Sequence, residues 1–307
     1  MREGAAADEA VAESSRRTAS RRDLARHERF EQVSPEVGQL DEEAFQRLMD
    51  EDPDAALALL ADLTGATDPR LRELARRLAG RIIVDVSRRG RARQRGVGRM
   101  LTQPFQPEAG DLDLDASLEA LAEARAHGGA PDAERLRVRG WRKRGTALCL
   151  VVDRSGSMGG RPLATSALAA AAIAHRAPAD YSVLAFGQDV VVAKAQDHPK
   201  PAAQVVTDVL ALRGFGTTDL VGALKVATTQ LQRSQAGRRV AVLLSDCRAT
   251  VPGDVVGAAR GLDELCIVAP ATDAEEAREL AASVGARFAT VDGPSQIPEA
   301  LAAVLGE

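Results

Sequence analysis

Apolar runs alternate with segments of helical periodicity from Thr146 to the end of the chain. Residues 147–152 are all apolar, which is typical of a strand covered on both faces. Residues 220–232 instead repeat apolar side chains at helical spacing. Further strand-like runs lie at 181–186, 189–194 (an edge strand), 239–246, 265–270 and 286–291, with predicted helices among them. This alternation predicts an α/β, Rossmann-like domain with a mostly parallel central sheet and helices on both faces.

The first half of the chain has a different pattern. Residues 1–33 mix charges, Ala and Ser without an apolar period, and we expect a disordered or frayed tail. Residues 34–90 show helical periodicity, with Asp41 and Asp54 as predicted N-caps, and predict a smaller all-helical module. Residues 91–145 are rich in Arg and Gly and predict a linker with one helix, capped near Asp115, and a basic edge strand or connector. The α/β domain then occupies 146–307.

Composition narrows the class of protein. Hydrophobic residues make up 45% and aromatic residues only 3%, so the core is predicted to consist of Ala, Val and Leu. The formal net charge of −4 gives no strong attraction to nucleic acid or anionic membranes. The three cysteines lie in or beside apolar runs, as expected of core thiols in a reducing compartment, and the first residues lack the apolar stretch of a signal peptide. We therefore expect a cytoplasmic protein that does not bind a membrane.

Two charged regions are candidate binding segments. The arginine-rich stretches 88–99 and 135–144 could contact phosphates, but the scarcity of aromatic residues for base stacking disfavours nucleic acid. The Asp-rich segment 111–115 has calcium-loop spacing, yet Ala116 and Ala122 stand where that loop needs Gly and Glu. An acidic helix start is the favoured interpretation of that segment, and an acidic docking segment is the alternative.

Polar side chains follow three of the predicted elements at the carboxyl edge of the sheet. They are Asp153, Ser155 and Ser157 with Gly156 between them, then Thr217, Thr218 and Asp219, and finally Ser245 and Asp246. Ligands of open parallel sheets bind at this edge. Hydroxyl and carboxylate oxygens are suitable ligands for a hard cation, Mg²⁺ first and Mn²⁺ or Ca²⁺ as alternatives. Because neutral hydroxyls do not neutralise the cation, it would attract one more anionic oxygen, such as an Asp or Glu of a partner protein.

This set of residues resembles the metal-ion-dependent adhesion site (MIDAS) of von Willebrand factor A (VWA) domains. The family pattern is Asp-x-Ser-x-Ser, a Thr in a Gly-rich loop, and an Asp at a later strand end. The resemblance implies Asp153, Ser155, Ser157, Thr218 and Asp246 as metal ligands, with Thr217 as an alternative to Thr218 and with Gly156, Asp219 and Ser245 as accessory residues. Two positions depart from the pattern, since Cys247 and Phe215 stand where glycine is common.

A helical segment before a VWA domain is similar to the bacterial group that includes CoxE-like proteins and the magnesium-chelatase D subunit. This resemblance implies an adaptor that works with a MoxR-type AAA+ ATPase in protein maturation, remodelling or metal-cofactor insertion. The chain has no Gly-x4-Gly-Lys-Ser/Thr phosphate loop, so we do not expect it to hydrolyse ATP itself.

Catalysis by this chain is the main alternative. A magnesium-dependent phosphohydrolase could use Asp153 as nucleophile, with Arg154 contacting the transferred phosphoryl group. No second acidic group or cation is convincingly placed for that chemistry. The four histidines are scattered, and neither Ser155 nor Ser157 lies in a Gly-x-Ser-x-Gly motif. The sequence therefore favours a binding protein over an enzyme.

Overall fold

The computed structural model describes residues 1–88, 99–105, 111–129, 131–133, 135–142, 145–154, 160–212 and 217–306. The chain divides into two compact units, the larger comprising Met1–Arg93 and Thr146–Glu307 and the smaller Gln94–Gly145. The helices within the described residues are α1 (Ala5–Ser14), α2 (Arg21–Leu24), α3 (Phe30–Val33), α4 (Glu42–Glu51), α5 (Pro53–Leu63), α6 (Pro69–Ser87), α7 (Leu114–His127), α8 (Gly160–Arg176), α9 (Ala202–Ala211), α10 (Leu220–Gln232), α11 (Val255–Arg260), α12 (Glu275–Val284) and α13 (Ile297–Leu305). The strands are β1 (Arg99–Pro104), β2 (Asp111–Leu112), β3 (Arg137–Arg142), β4 (Thr146–Asp153), β5 (Tyr181–Phe186), β6 (Val190–Lys194), β7 (Arg238–Leu244), β8 (Glu264–Pro270) and β9 (Arg287–Val291).

The larger unit is built around a sheet with the strand order β6-β5-β4-β7-β8-β9. Neighbouring strands are parallel except β6, which runs antiparallel to β5 at the edge. The chain runs outward from β4 to β5 and then returns to place β7 on the other side of β4. The strand order thus reverses between β4 and β7, which is where open α/β sheets bind their ligands. The predicted α/β fold is confirmed.

Strand β4 shows why helices lie on both faces of the sheet. All its residues from Ala147 to Val152 are buried. Leu148, Leu150 and Val152 join the core under α8, whereas the alternate residues join the core on the opposite face, where α10 packs. Because successive side chains of a strand point to opposite faces, a strand without polar residues must be covered on both faces of the sheet.

The N-terminal helices pack on α8, which is buried on all sides. Its residues 166–174 are all buried, because the sheet covers one side and α5 and α6 cover the other. A helix that is apolar all round needs this complete cover. The segment 34–90, expected to be a separate module, therefore belongs to the same compact unit as the sheet.

The caps of these helices match the expectation at one position and differ at another. Asp41 caps α4, since its Oδ1 accepts a hydrogen bond from the Ala44 N–H at 2.9 Å. Helix α5 is capped by Asp52 rather than the predicted Asp54, because Pro53 is the first helical residue. Asp54 is left in the first turn with its carboxylate free for another contact.

Residues 1–33 differ from the expected disordered or frayed tail. They contain α1, α2 and α3, and bury Leu24, Phe30 and Val33 in the core shared with α5 and α8. Arg2 also pairs with the edge strand β6: its N–H donates to the Val190 carbonyl at 2.8 Å, and its carbonyl accepts from the Val192 N–H at 2.9 Å. These are contacts with distant parts of the chain, so local periodicity could not show them.

The smaller unit differs from the expected linker. It is an antiparallel sheet of order β1-β3-β2 with helix α7, and β3 is the central strand rather than an edge strand or connector. Helix α7 is capped by Asp113, not Asp115. The Asp113 carboxylate accepts hydrogen bonds from the Thr102 hydroxyl at 2.7 Å and the Ala116 N–H at 3.2 Å, which lower its pKa. Asp113 therefore has a structural role at a helix start, as favoured over a calcium loop.

In the part of the chain that the structure describes, no helix is both long enough and apolar enough to cross a membrane.

Candidate metal centre

The candidate site begins where β4 and β7 end. Val152 of β4 pairs in register with Leu244 of β7, so the next residues, Asp153 and Ser245, lie side by side. The Ser245 hydroxyl donates to Asp153 Oδ2 at 2.7 Å, and its oxygen accepts from the Cys247 N–H at 2.9 Å. Ser245 therefore orients a half-buried carboxylate at the reversal point of the sheet.

The loop after β7 turns sharply. Asp246 is half-buried and its Oδ1 accepts from the Arg248 N–H at 3.0 Å. Cys247 follows with a φ of 65°, the one positive φ of a non-glycine residue among the described positions. A side chain is disfavoured in this left-handed conformation, which accounts for glycine at this position in the VWA pattern.

The Cys247 thiol reports the electrostatic character of the site. Burial, together with the carboxylates of Asp246, Asp153 and Glu276, which oppose a thiolate, raises its pKa to about 12. The same carboxylates favour a cation. The negative electrostatic potential of these carboxylates is thus compatible with a cation at this edge of the sheet.

The loop before α10 is held against the β7 loop. The Thr218 N–H donates to the Thr250 hydroxyl at 2.7 Å, and its carbonyl accepts from the Thr250 and Val251 N–H groups at 3.2 Å. Thr218 is 3% exposed, and within the described residues no hydrogen bond engages its hydroxyl. That oxygen is therefore available as a ligand.

The two residues on either side of Thr218 have different surroundings. Thr217 is exposed. Asp219 is the N-cap of α10, where its Oδ1 accepts from the Gly222 N–H at 2.8 Å. Its own N–H donates to the Gly187 carbonyl at 2.9 Å, which connects this loop to the end of β5. The cap gives Asp219 a structural role independent of any metal.

Arg154 is already paired. Its guanidinium forms an ion pair with Asp189, and its side chain is only 12% exposed. Asp189 also accepts from Arg2 Nε at 2.7 Å. Sequence reasoning missed Asp189 and Arg2, because both are distant along the chain and neither lies in a motif.

Three predicted site residues, Ser155, Gly156 and Ser157, lie outside the described residues, as does Phe215. The structure places Asp153 at the end of β4 and Thr218, Ser245 and Asp246 in loops at the same edge of the sheet. Nowhere in the described part of the chain do three or more His, Cys, Asp or Glu side chains form a group that could hold a metal ion. A metal site at this edge therefore needs hydroxyl ligands as well, and the ligand assignments stay predictions.

Comparison with known families decides the classification. A family model described as "VWA domain containing CoxE-like protein" matches residues 86–265, more than half of the chain. The chain belongs to this family. No curated protein matches it in sequence.

Solved VWA structures resemble the chain at low identity. A von Willebrand factor type A protein from Catenulispora acidiphila is 17% identical, with 53% of this chain and 42% of that chain covered and a TM-score of 0.40. Manganese-loaded TRAP from Plasmodium vivax is 16% identical, covering 52% and 72%, with a TM-score of 0.40. BatB from Bacteroides thetaiotaomicron is 13% identical, covering 53% and 100%, with a TM-score of 0.37.

Proposed function

We propose that this VWA protein is a metal-dependent, non-catalytic adaptor that binds other proteins in the cytoplasm. The proposed ligands are Asp153, Ser155, Ser157, Thr218 and Asp246, and Mg²⁺ is the preferred ion, with Mn²⁺ and Ca²⁺ as alternatives. A bound cation would supply an electrophilic position for a carboxylate from an Asp or Glu of the partner.

The observation that carries this proposal is the hydrogen bond between Ser245 and Asp153 at 2.7 Å. It joins the ends of β4 and β7 where the strand order reverses, and so holds one predicted ligand beside the loop of another, Asp246. The Thr218 hydroxyl, which no described residue engages in a hydrogen bond, and the carboxylates around Cys247 fit the same donor set. Ser245 acts as an orienting group, and Asp219 as a helix cap.

Membership in the CoxE-like family supports an adaptor role. We further propose a MoxR-type AAA+ ATPase as the working partner, because the family resemblance implies one. Maturation, remodelling or cofactor insertion in a client protein would be the outcome of that partnership.

The phosphohydrolase alternative is less well supported by the geometry. A phosphoryl-transfer site needs a cation directed at the transferred group. Arg154, the cation predicted for this role, is instead paired with Asp189. Redirecting it would break that ion pair.

Affinity capture from lysate tests the proposal. The bait proteins are wild type, Asp153→Ala and Asp263→Ala, the last a control at the opposite edge of the sheet, beside the start of β8. We expect wild type and the control to retain an ATPase in Mg²⁺, to release it in EDTA and to recover it when Mg²⁺ is restored, whereas Asp153→Ala retains none. Capture that is insensitive to EDTA and to Asp153→Ala would contradict the proposal. Phosphoester turnover by the purified chain would support the enzyme instead, and retention on RNA that weakens with salt would support nucleic-acid binding.

A further inference from the structure

Helix α7 of the smaller unit carries large apolar side chains on its exposed face. Leu114 and Leu118 are 63% and 66% exposed. They are four residues apart, so they are neighbours on one face of the helix. The buried positions of α7 are instead occupied by the small residues Ser117 and Ala120. The packing of the smaller unit therefore makes little use of these two leucines.

Ser117 fixes the orientation of α7. Its side-chain oxygen accepts a hydrogen bond from the Arg137 N–H at 2.8 Å, and its hydroxyl donates to the Arg137 carbonyl at 3.2 Å. Arg137 is the first residue of β3, the central strand of this unit. A rotation of the helix that buried Leu114 and Leu118 would break both hydrogen bonds. The two leucines therefore form a fixed apolar stripe on the surface, called here the leucine stripe.

Acidic side chains flank the leucine stripe. Asp115 and Glu119 each follow one of the two leucines, so they lie along the neighbouring face of the helix. Asp115 is exposed, and among the described residues no hydrogen bond or ion pair engages its carboxylate. The side chain of Glu119 is 92% exposed, and its ion pair with Arg135 is long, at 4.0 Å. The surface thus combines exposed apolar area with negative charge.

We propose that the leucine stripe, together with Asp115 and Glu119, is a docking surface for a partner protein that presents an apolar surface bordered by Lys or Arg. Leucines at this spacing are typical anchors of a helix that binds in an apolar groove. The basic border would pair with the two carboxylates, which gives the contact its specificity. This inference does not depend on the proposed metal binding.

The charge of this surface disfavours other occupants. A second copy of the chain that docked through the same face would bring like charges together. An anionic membrane or a nucleic acid would be repelled by the same carboxylates. A basic protein surface is the occupant that satisfies both the leucines and the acidic residues.

Fluorescence anisotropy with a defined probe tests this inference on the full chain. The probe is a labelled amphipathic helical peptide of Leu and Lys, which presents the chemistry proposed for the partner, and the same peptide with Glu in place of Lys is its control. We expect wild type to bind the Leu/Lys peptide equally in Mg²⁺ and in EDTA, and not to bind the Leu/Glu peptide. Leu114→Ala and Leu118→Ala should each weaken binding about 10-fold, because each removes an apolar anchor. The double variant Asp115→Asn, Glu119→Gln should weaken binding and reduce its dependence on salt.

Val37 provides a control variant, because it is an exposed apolar residue of the larger unit, 71% exposed. Val37→Ala should bind the peptide as wild type does. Leu114→Ala and Leu118→Ala should also unfold in urea close to wild type, since exposed side chains contribute little to stability. A loss of stability typical of a core leucine would show that the stripe is covered within the chain, and would overturn the inference.

Other outcomes would also contradict the inference. They are absence of binding by wild type, equally tight binding of the Leu/Glu peptide, and leucine variants that bind the Leu/Lys peptide as wild type does. Self-association of wild type that Leu118→Ala abolishes would identify a second copy as the occupant instead. Binding to phosphatidylserine vesicles that the same variant abolishes would identify a membrane.

Discussion

The left-handed conformation of Cys247 allows a prediction about stability whose sign can be tested. We expect Cys247→Gly to be more stable than Cys247→Ala. Both variants lose the same buried thiol, so the difference between their free energies of unfolding reflects the backbone conformation at position 247. A φ of 65° costs a residue with a Cβ about 1–2 kcal/mol. Glycine loses about 0.5–1 kcal/mol through its greater freedom in the unfolded chain. The net advantage of glycine is about 0.5–1 kcal/mol.

Urea unfolding of the two variants measures this difference, and a thermal scan should show a melting temperature higher by about 2 °C for Cys247→Gly. Cys149 is the control, because it is a buried cysteine within strand β4. There alanine should be more stable than glycine, which is the ordinary order in a strand. Equal stabilities at position 247, or alanine more stable than glycine there, would refute the argument from backbone strain.

Three further predictions concern other contacts. Ser245→Ala should lower the free energy of unfolding by about 1–3 kcal/mol, because the Cys247 N–H loses its acceptor and Asp153 loses a donor; urea unfolding that matches wild type would contradict this. Burial raises the pKa of the Cys149 thiol from 9.0 to about 12. The folded state therefore keeps this proton to a higher pH than the unfolded state does. The contribution of this thiol to the free energy of unfolding is complete below pH 9 and falls by about 1.4 kcal/mol for each pH unit above it. Unfolding at pH 8 to 10.5 should therefore show a shallower decline for Cys149→Ala, and an identical decline would be evidence against a buried thiol. Deleting residues 1–4 removes the pairing of Arg2 with β6 and exposes a strand edge, so light scattering should show more self-association than in wild type; an unchanged monomer fraction would show that the edge is otherwise protected.

The sheet was predictable because its strands and helices carry strong local patterns. Continuous apolar runs such as 147–152 predicted strands buried on both faces, and the edge position predicted for 189–194 was also correct. The packing of α5 and α6 on α8 was not predicted, although the sequence of α8 contains a signal for it. Residues 166–174 contain no charged residue before His175, and a helix of this kind needs neighbours on every side.

Other features depended on contacts that no local pattern shows. The sequence motif predicted Asp153, Thr218 and Asp246 as a set, and strand order explains why their loops share one edge. The ion pair of Asp189 with Arg154 was not predictable, because Asp189 is an ordinary acidic residue whose partner is distant in sequence. The smaller unit was interpreted as a linker because its charged composition obscures the strands β1 and β3.

Calorimetric titration of wild type, Asp153→Ala and Asp263→Ala with MgCl2, repeated with MnCl2 and CaCl2, measures the proposed metal binding without any partner. We expect one saturable site in wild type and in Asp263→Ala, and no binding by Asp153→Ala. Wild-type protein that binds none of these ions, or Asp153→Ala that binds them as wild type does, would contradict it.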